Sequence, residues 1–461
     1  MKISINNFKS IGSLVNYEMQ PLTILSGTNS SGKSSFIQLL LLLKQTLEDD
    51  SAQRPLDLGG DLFKVRNYLD ILKDKKKDNK LKVEFTFNKS ELSKYKDFPE
   101  LRIYEALDYN LHIEIKFDFD EQLIIVSSFS VRIETEIKPD YIKFENNGTS
   151  FNVETNVAVF SEKLYGKNYS ITKINYSSFI PTNYEIEFND GIIANEVPKL
   201  DGIKTILKDF FTNLNYVGPL RNEPKDIYPA NGKSNSVGKQ GENVANVFCE
   251  LAERPTIFFK IEESESNVNF IKIEDTFINA VKYWLCERFN LCANIYSRRE
   301  ADSYIIYVES LSGITSTIKH VGFGISQVLP IIVEGLRIAN NETFILEQPE
   351  IHLHPKVQSG LTDFLISLIK QGKKVIIETH SDHLITRLRR RIAEDQSNQL
   401  DEKIQLTFVE VGKNDILFRN ITIDDFGVIE LPYPEGFIEK TDAELKAILR
   451  AQMNKRLNQQ R

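Results

Sequence analysis

Gly27-Thr28-Asn29-Ser30-Ser31-Gly32-Lys33-Ser34 fits the spacing G-x-x-x-x-G-K-[ST] at every fixed position, and Ser35 follows it. Each fixed residue has a chemical reason. Glycines let backbone N–H groups wrap a phosphate, which then sits at the positive end of the helix that follows. Lys33 reaches the β and γ phosphates, and the Ser34 hydroxyl ligates Mg2+. The segment implies binding of ATP or GTP. A second constellation is Thr343-Phe-Ile-Leu-Glu347-Gln348-Pro349-Glu350, an apolar run ending in acid. A carboxylate at such a strand tip completes a metal shell opposite Ser34, and Glu347 is placed for that role. A third is Val375-Ile-Ile-Glu378-Thr379-His380-Ser381. It sets an imidazole at the carboxyl edge of a sheet, where nucleotides bind in α/β folds. There His380 contacts the γ-phosphate or orients the attacking water.

These groups need elements to hold them. Leu22–Leu25 reads as a strand entering the glycine loop, and Ser34–Leu47 as a helix apolar on nearly every face, hence buried. Residues 48–80 are polar and irregular, with the charged loop Lys73–Lys80. From about Leu81 to Phe188 the pattern alternates, as in LKVEFTF, LHIEIKFDF and YEIEF, which predicts antiparallel strands. Residues 200–215 and 242–290 read as helical, with a Pro/Gly/Asn-rich loop between them. Strands are expected at 303–309 and 343–346, with a helix from about Ser326 to Ala339 between. A helix at Ile351–Ile369, a strand at Val375–Ile377 and a basic helix at His383–Glu394 follow. Strands at 404–411 and 414–423 lead to a tail helix from about Asp442.

Composition excludes several classes. The chain has 461 residues with 57 Lys+Arg against 65 Asp+Glu, a net charge of −8. That argues against a coat for nucleic acid while leaving a local basic groove open. Three cysteines without metal spacing fit a reduced cytosol. The start MKISINNFKS has no apolar leader, and no apolar run approaches the ~20 residues that span a bilayer. A cytoplasmic protein without membrane contact is expected. His352, His354, His380 and His383 cluster in sequence, but no further His or Cys ligands accompany them, so a zinc centre is not expected.

GTNSSGKSS, VGFGISQVLP (321–330), FILEQPEIHLHP (344–355) and VIIETHSDHL (375–384) occur in that order. Together they resemble the ABC-type ATPase class of SMC, RecF and OLD proteins. EQPEIHLHP, RLRRRIAE and a late PEGF are similar to the PtuA (Septu)-like subgroup of bacterial anti-phage defence ATPases. The resemblance covers roughly 1–80 and 211–440, and no motif within 81–210 matches. It implies an α/β fold: an ABC/SMC-type head with a phosphate loop and a mixed β-sheet flanked by helices, carrying β-rich and helical insertions. On it the chain divides into an N-terminal lobe (1–80), a β-rich insertion (81–210), a linker and short helical arm (211–300), a C-terminal lobe (301–400) and late strands with a tail helix (401–461).

The resemblance also implies residue roles. ATP and Mg2+ are held by residues 27–35, with Ser34 and Glu347 on the metal. Gly322–Gln327 stands where the family's signature motif lies. Gly324, Ser326 and Gln327 from one subunit then cap the γ-phosphate on another, and ATP becomes a glue between heads. Ser326 at a helix start suits an anion. His380 matches the switch histidine, and Lys33, Glu347, Gln348 and His380 form the catalytic set. The residue after the metal-side acid is usually the glutamate that handles the attacking water, yet Gln348 stands here. An amide orients water but cannot take its proton, so hydrolysis is expected to be slow. Glu350 is a partial substitute. Gln45 and Gln53 are the candidates for a Gln-loop residue. Arg221 suits a phosphate, a partner head or an internal ion pair equally.

The residues after the last head strand are too few for a nuclease domain, so no effector of its own is expected. A homo-oligomeric regulatory ATPase with a separate effector, a nuclease, is the expected function. A RecF-like ATPase acting on DNA and a non-hydrolysing scaffold are the alternatives. Arg387, Arg390 and Arg391 form the one dense basic cluster, open to nucleic acid, to a protein partner or to solvent.

Overall fold

The computed structural model describes residues 1–28, 31–48, 54–120, 123–148, 150–157, 160, 169–188, 191–230, 234–263, 268–395, 399–413 and 415–429. Asn29, Ser30, Gln53, Asn414, the PEGF segment and the expected tail helix lie outside the described residues. In chain order the elements begin with β1 (Lys2–Phe8), β2 (Ile11–Glu18), β3 (Leu22–Gly27) and α1 (Lys33–Glu48). Next come β4 (Leu81–Asn88), α2 (Pro99–Arg102), β5 (Asn110–Asp120), β6 (Leu123–Glu134), β7 (Asp140–Asn146), β8 (Phe151–Thr155), β9 (Tyr169–Ser177), β10 (Ile180–Phe188) and β11 (Ile193–Glu196). They are followed by α3 (Asp201–Thr212), β12 (Leu214–Val217), β13 (Tyr228–Pro229), α4 (Val244–Leu251), β14 (Pro255–Glu263), β15 (Val268–Thr276) and α5 (Phe277–Lys282). The last are β16 (Asn294–Glu300), β17 (Ser303–Glu309), β18 (Thr315–Thr317), α6 (Phe323–Arg337), β19 (Thr343–Glu347), α7 (Pro355–Lys370), β20 (Lys374–Glu378), α8 (Asp382–Ala393), β21 (Ile404–Val411) and β22 (Ile416–Ile421).

Two compact units divide the chain. The first holds Met1–Gln20, Gly32–Asn215 and Val411–Ile416. Its sheet runs β11-β10-β9-β8-β7-β6-β5-β4-β1-β2. The alternation in sequence becomes one buried face: Leu81, Val83, Phe85 and Phe87 on β4 lie beside Leu111, Ile113, Ile115 and Phe117 on β5. Helix α3 lays Ile203, Ile206, Leu207 and Phe211 on that core, with Phe211 edge-on to Phe85 at 5.6 Å. Lys44 of α1 donates to the carbonyls of Phe211 and Thr212 at the end of α3. The boundary expected at residue 80 is not a break here, because β1 pairs antiparallel with β4.

The second unit holds Pro21–Ser31, Tyr216–Glu410 and Leu417–Arg461. Its principal sheet runs β12-β19-β20-β3-β21-β22, with β19, β20, β3 and β21 mutually parallel. Buried on both faces, these strands are continuously apolar: Phe344, Ile345 and Leu346 on β19, then Val375, Ile376 and Ile377 on β20. Trp284 packs edge-on to Phe364 of α7 at 5.0 Å in the core beneath them.

The helical reading of 242–290 holds at α4 and α5 but not between them. Between α4 and α5 the chain forms the antiparallel hairpin β14–β15, pairing Phe258 with Ile273 and Phe259 with Lys272. Thr, Ile and Phe favour strands, and the hairpin is solvated on much of both faces, so lysines and glutamates interrupt its alternation and disguise it.

Candidate functional site

β3 delivers the chain into the phosphate loop at Gly27. Its φ is +141°, and a Cβ there would stand 2.0 Å from the Val409 carbonyl oxygen of β21. Gly32 has φ +99°, and a Cβ there would stand 2.3 Å from Ile416 Cδ1 and 2.7 Å from Ser10 Oγ. Only glycine fits either position. α1 begins at Lys33, so the amino end of the helix belongs to the loop, as expected. The Lys33 and Ser31 side chains are buried. Ser35 is engaged elsewhere than the loop interior: its Oγ lies 2.8 Å from Ser10 Oγ. Gln45, a Gln-loop candidate, is also committed. It donates to the carbonyls of Asp57 and Phe63 and accepts from Phe63 N–H at 2.8 Å, which pins the segment after α1.

The acids assemble at the carboxyl ends of β19 and β20. Parallel register places Glu347 opposite Glu378, and Glu378 opposite Leu25 of β3. Glu347 is 8% exposed. Burial, and then the neighbouring charge of Glu378, push its carboxyl up to about 7. The Tyr216 hydroxyl donates to Glu347 Oε1 at 2.9 Å. Burial and that carboxylate raise the Tyr216 phenol well above its usual range. Gln348 follows at φ +43°, the left-handed region, with its N–H donating to the Glu378 carbonyl at 2.7 Å. That reversal turns the chain off the strand and into Pro349-Glu350.

Glu350, the expected partial substitute, and Arg221 lie near enough for their charges to act on one another. Glu350 Oε1 accepts the His380 N–H at 2.6 Å. Its Oε2 is buried and has no partner among the described residues, and burial raises its carboxyl. Arg221 is 7% exposed. Its Nη2 reaches the Glu347 carbonyl only at 3.4 Å, while Nε and Nη1 have no partner among the described residues. Burial lowers its guanidinium to about 10, against the opposing pull of Glu350. His380 itself is exposed at the strand end, and Ser381 caps α8 by accepting the Leu384 N–H at 3.1 Å. Sequence reasoning gave no role to Glu378. Its signal was the repeated pattern of an apolar run ending in acid, FILE and then VIIE.

Two expectations need correction. α6 starts at Phe323 with Gly322 as its N-cap, so Ser326 does not begin the helix. Ser326 and Gln327 are buried, and Gln327 Nε2 has no partner among the described residues. Ser326 borders a hollow of about 20 Å³ with Tyr228 and Gly241. The open part of this segment is the backbone at Gly322 and Gly324, where an added Cβ meets nothing within 4 Å. The basic cluster is also not a free face. Arg391 donates to both oxygens of Asp363 at 2.7 and 3.0 Å and to Glu394 and Glu263. Arg390 pairs with Glu394, and Arg387 leans toward Asp363 at 3.6 Å. Acids from α7 and β14 meet the helix on one side, which one-dimensional spacing does not reveal. His352 and His354 are turn residues: the first has φ +62°, and the second caps α7 by accepting the Lys356 N–H at 3.2 Å. No helix among the described residues is long and apolar enough to cross a membrane.

The family described as AAA ATPase domain matches residues 1–385. No curated protein matches the chain. Among solved structures, an SmcHead bound to the C-winged helix domain of ScpA is 12% identical, with 92% of this chain and 98% of that chain covered at a TM-score of 0.42. The SMC head domain from Thermotoga maritima is 11% identical, with 92% and 98% covered at a TM-score of 0.36. An Smc head domain with an extended coiled coil, bound to the C-terminal domain of ScpA derived from Pyrococcus furiosus, is 11% identical, with 91% and 96% covered at 0.40.

Proposed function

The chain belongs to the AAA ATPase domain family, and from that premise we propose a slow, Mg2+-dependent ATPase whose ATP-bridged heads regulate a separate effector. The observation that carries the reading is the acid tip itself. Glu347 holds the metal position, while the next residue, Gln348, has no group that accepts a proton. The loop glycines and the amino end of α1 suit the phosphates, with Lys33 as their counter-charge. Ser34 and Glu347 are oxygen donors of the kind Mg2+ takes, and two buried carboxylates side by side, Glu347 and Glu378, favour a cation between or beside them. Bound there, Mg2+ neutralises phosphate charge. Gln348 orients water by hydrogen bonds, and Glu350 Oε2 is the unengaged carboxylate oxygen two residues on. His380 stands at the same strand edge for the γ-phosphate. Gly322 and Gly324 offer backbone N–H groups at the head of α6 to a second subunit's nucleotide.

The effector is a nuclease in anti-phage defence by resemblance of the EQPEIHLHP segment. With Arg391 and Arg390 already paired, a protein partner is favoured over direct DNA contact through α8. A single-turnover assay tests the kinetic half. Gln348→Glu should speed hydrolysis at least ~10-fold if the missing base limits the rate, and a fast parent burst left unchanged by the substitution sinks it. Light scattering tests the assembly half. ATP should raise the mass to a multiple of 53.0 kDa, and Gly324→Arg should abolish that rise without loss of ATP binding. Tight, salt-sensitive duplex DNA binding by the isolated chain would instead favour the RecF-like alternative.

A further inference from the structure

Within the second unit a hollow of about 320 Å³ opens between the hairpin β14–β15, the carboxyl end of α6 and the turn after α7. Ala339 and Asn340 on its wall precede β19, and Lys373 precedes β20. It therefore lies beyond the amino ends of those strands, whereas Glu347 and Glu378 stand at their carboxyl ends. Five residues of strand, on the order of 15 Å, separate the two.

Its charge is one-sided. Arg254, Lys272, Lys370 and Lys373 line it, and no carboxylate does. Lys373 is 3% exposed and donates to the Gly335 and Leu336 carbonyls at 2.7 and 3.3 Å. Burial, and then the charge of Arg254, lower its ammonium to about 7, with Glu342 the one attractive carboxylate and Arg337 a further repulsion. Lys370 rests over the Phe270 ring at 5.1 Å. Arg254, Lys272 and Lys370 have no carboxylate partner among the described residues. Gln371 Nε2 is buried at the same rim, also without a partner among them. Like charges gathered around a hollow destabilise the fold unless an anion enters. The neighbouring hollow of about 1050 Å³ shares Arg254 but carries Glu250 and Glu253, so it lacks this imbalance.

Ile257, Phe259 and Ile338 give the wall an apolar stretch, and Thr256, Asn340 and Gln371 add neutral polar groups. Arg254, Lys272 and Lys370 suit more than one phosphate charge, with the buried Lys373 behind them. The Phe259 ring beside Ile257 and Ile338 suits a base or similar apolar group. The volume falls at the lower end of small-ligand pockets, about 300–1,000 Å³. We propose that this hollow is a second ligand site, distinct from the phosphate loop, that binds a phosphorylated small molecule of mononucleotide size.

The test uses the full chain carrying Lys33→Ala, so that the phosphate loop is silent. Calorimetric titration with AMP and with pyrophosphate should show saturable one-to-one binding. Lys272→Glu with Lys370→Glu should weaken it at least ~10-fold. Both are exposed positions, so the variant should fold, and its ligand-free melting temperature should hold or rise as the like-charge repulsion is relieved. Absence of heat up to millimolar probe, or an affinity indifferent to the double reversal, overturns the proposal. Tight duplex DNA binding lost in the same variant, with neither small probe bound, also overturns it and makes the surface a nucleic-acid contact. ATP binding by the parent chain, abolished by Lys33→Ala, bears only on the phosphate loop.

Discussion

Glu350→Gln separates the chemistry of this carboxylate from its part in holding the site. Oε1 is tied to the His380 N–H at 2.6 Å, and an amide oxygen can accept that same bond. The backbone at His380 should therefore stay in place. Two things are lost: a proton acceptor beside Gln348, and the charge that faces Arg221. A full general base is worth ~10²–10⁴ in rate, or about 2.7–5.4 kcal/mol of barrier, and Glu350 as a partial substitute should supply the lower end of that range, about 10²-fold. The second leaves a buried guanidinium short of counter-charge, at about 1–3 kcal/mol of stability. Arg221→Met added to Glu350→Gln removes the orphaned cation. The double variant should regain most of the melting temperature while its hydrolysis stays slow. The assay is single-turnover hydrolysis of radiolabelled ATP at saturating enzyme, with affinity measured separately in the presence of Mg2+. Hydrolysis by Glu350→Gln within about threefold of the parent, at undiminished ATP affinity, would refute Glu350 as the base.

Gly27→Ala should abolish nucleotide binding, since its methyl group meets the Val409 carbonyl at 2.0 Å and φ is +141°; titration with ATP reads this directly. Asp363→Leu should cost about 3–5 kcal/mol in urea unfolding, because it strands the buried Arg391, whereas Asp363→Leu with Arg391→Met should recover much of that. Burial raises the Glu263 carboxyl, but Arg288 and Arg391 outweigh it and hold it at about 2. Its contribution is therefore full above the ordinary carboxylate value of about 4.5 and is lost as pH falls from there toward about 2. Melting curves across that window should steepen in the parent and flatten in Glu263→Gln.

How much of this was written in the sequence depends on range. The phosphate loop and the tip of β19 were legible because each is one contiguous segment whose residue types have few other uses. Glu378 was quoted and passed over, since its importance comes from lying opposite Glu347 across a parallel register. The Ser326 assignment failed by three residues: Gly322 had been read as loop rather than N-cap, and that shift turned the hydroxyl inward. Arg387, Arg390 and Arg391 looked like a basic face because the acids that bind them, Asp363 and Glu263, come from elsewhere in the chain. Hairpin β14–β15 was hidden by solvation of both its faces, which weakens the alternation a half-buried strand displays.

The two sheets differ in the order in which a growing chain can finish them. β4 to β11 pair in succession, each with the strand just made. β3 instead lies between β20 and β21, so Leu22 must find Val375 and Ile404. Closing a loop of about 350 residues costs roughly 2 kcal/mol more entropy than closing one of 30. During synthesis at ~5–20 residues per second, the strand bearing the phosphate loop therefore waits, unpaired on both sides, for tens of seconds. The antiparallel sheet can form in that interval. A ribosome stalled before residue 374 leaves β3 without either partner, the Val409 opposite Gly27 included. Nucleotide competence is thus coupled to synthesis of β20 and β21, and a fragment that stops before them carries the phosphate-loop sequence without the strands that flank it.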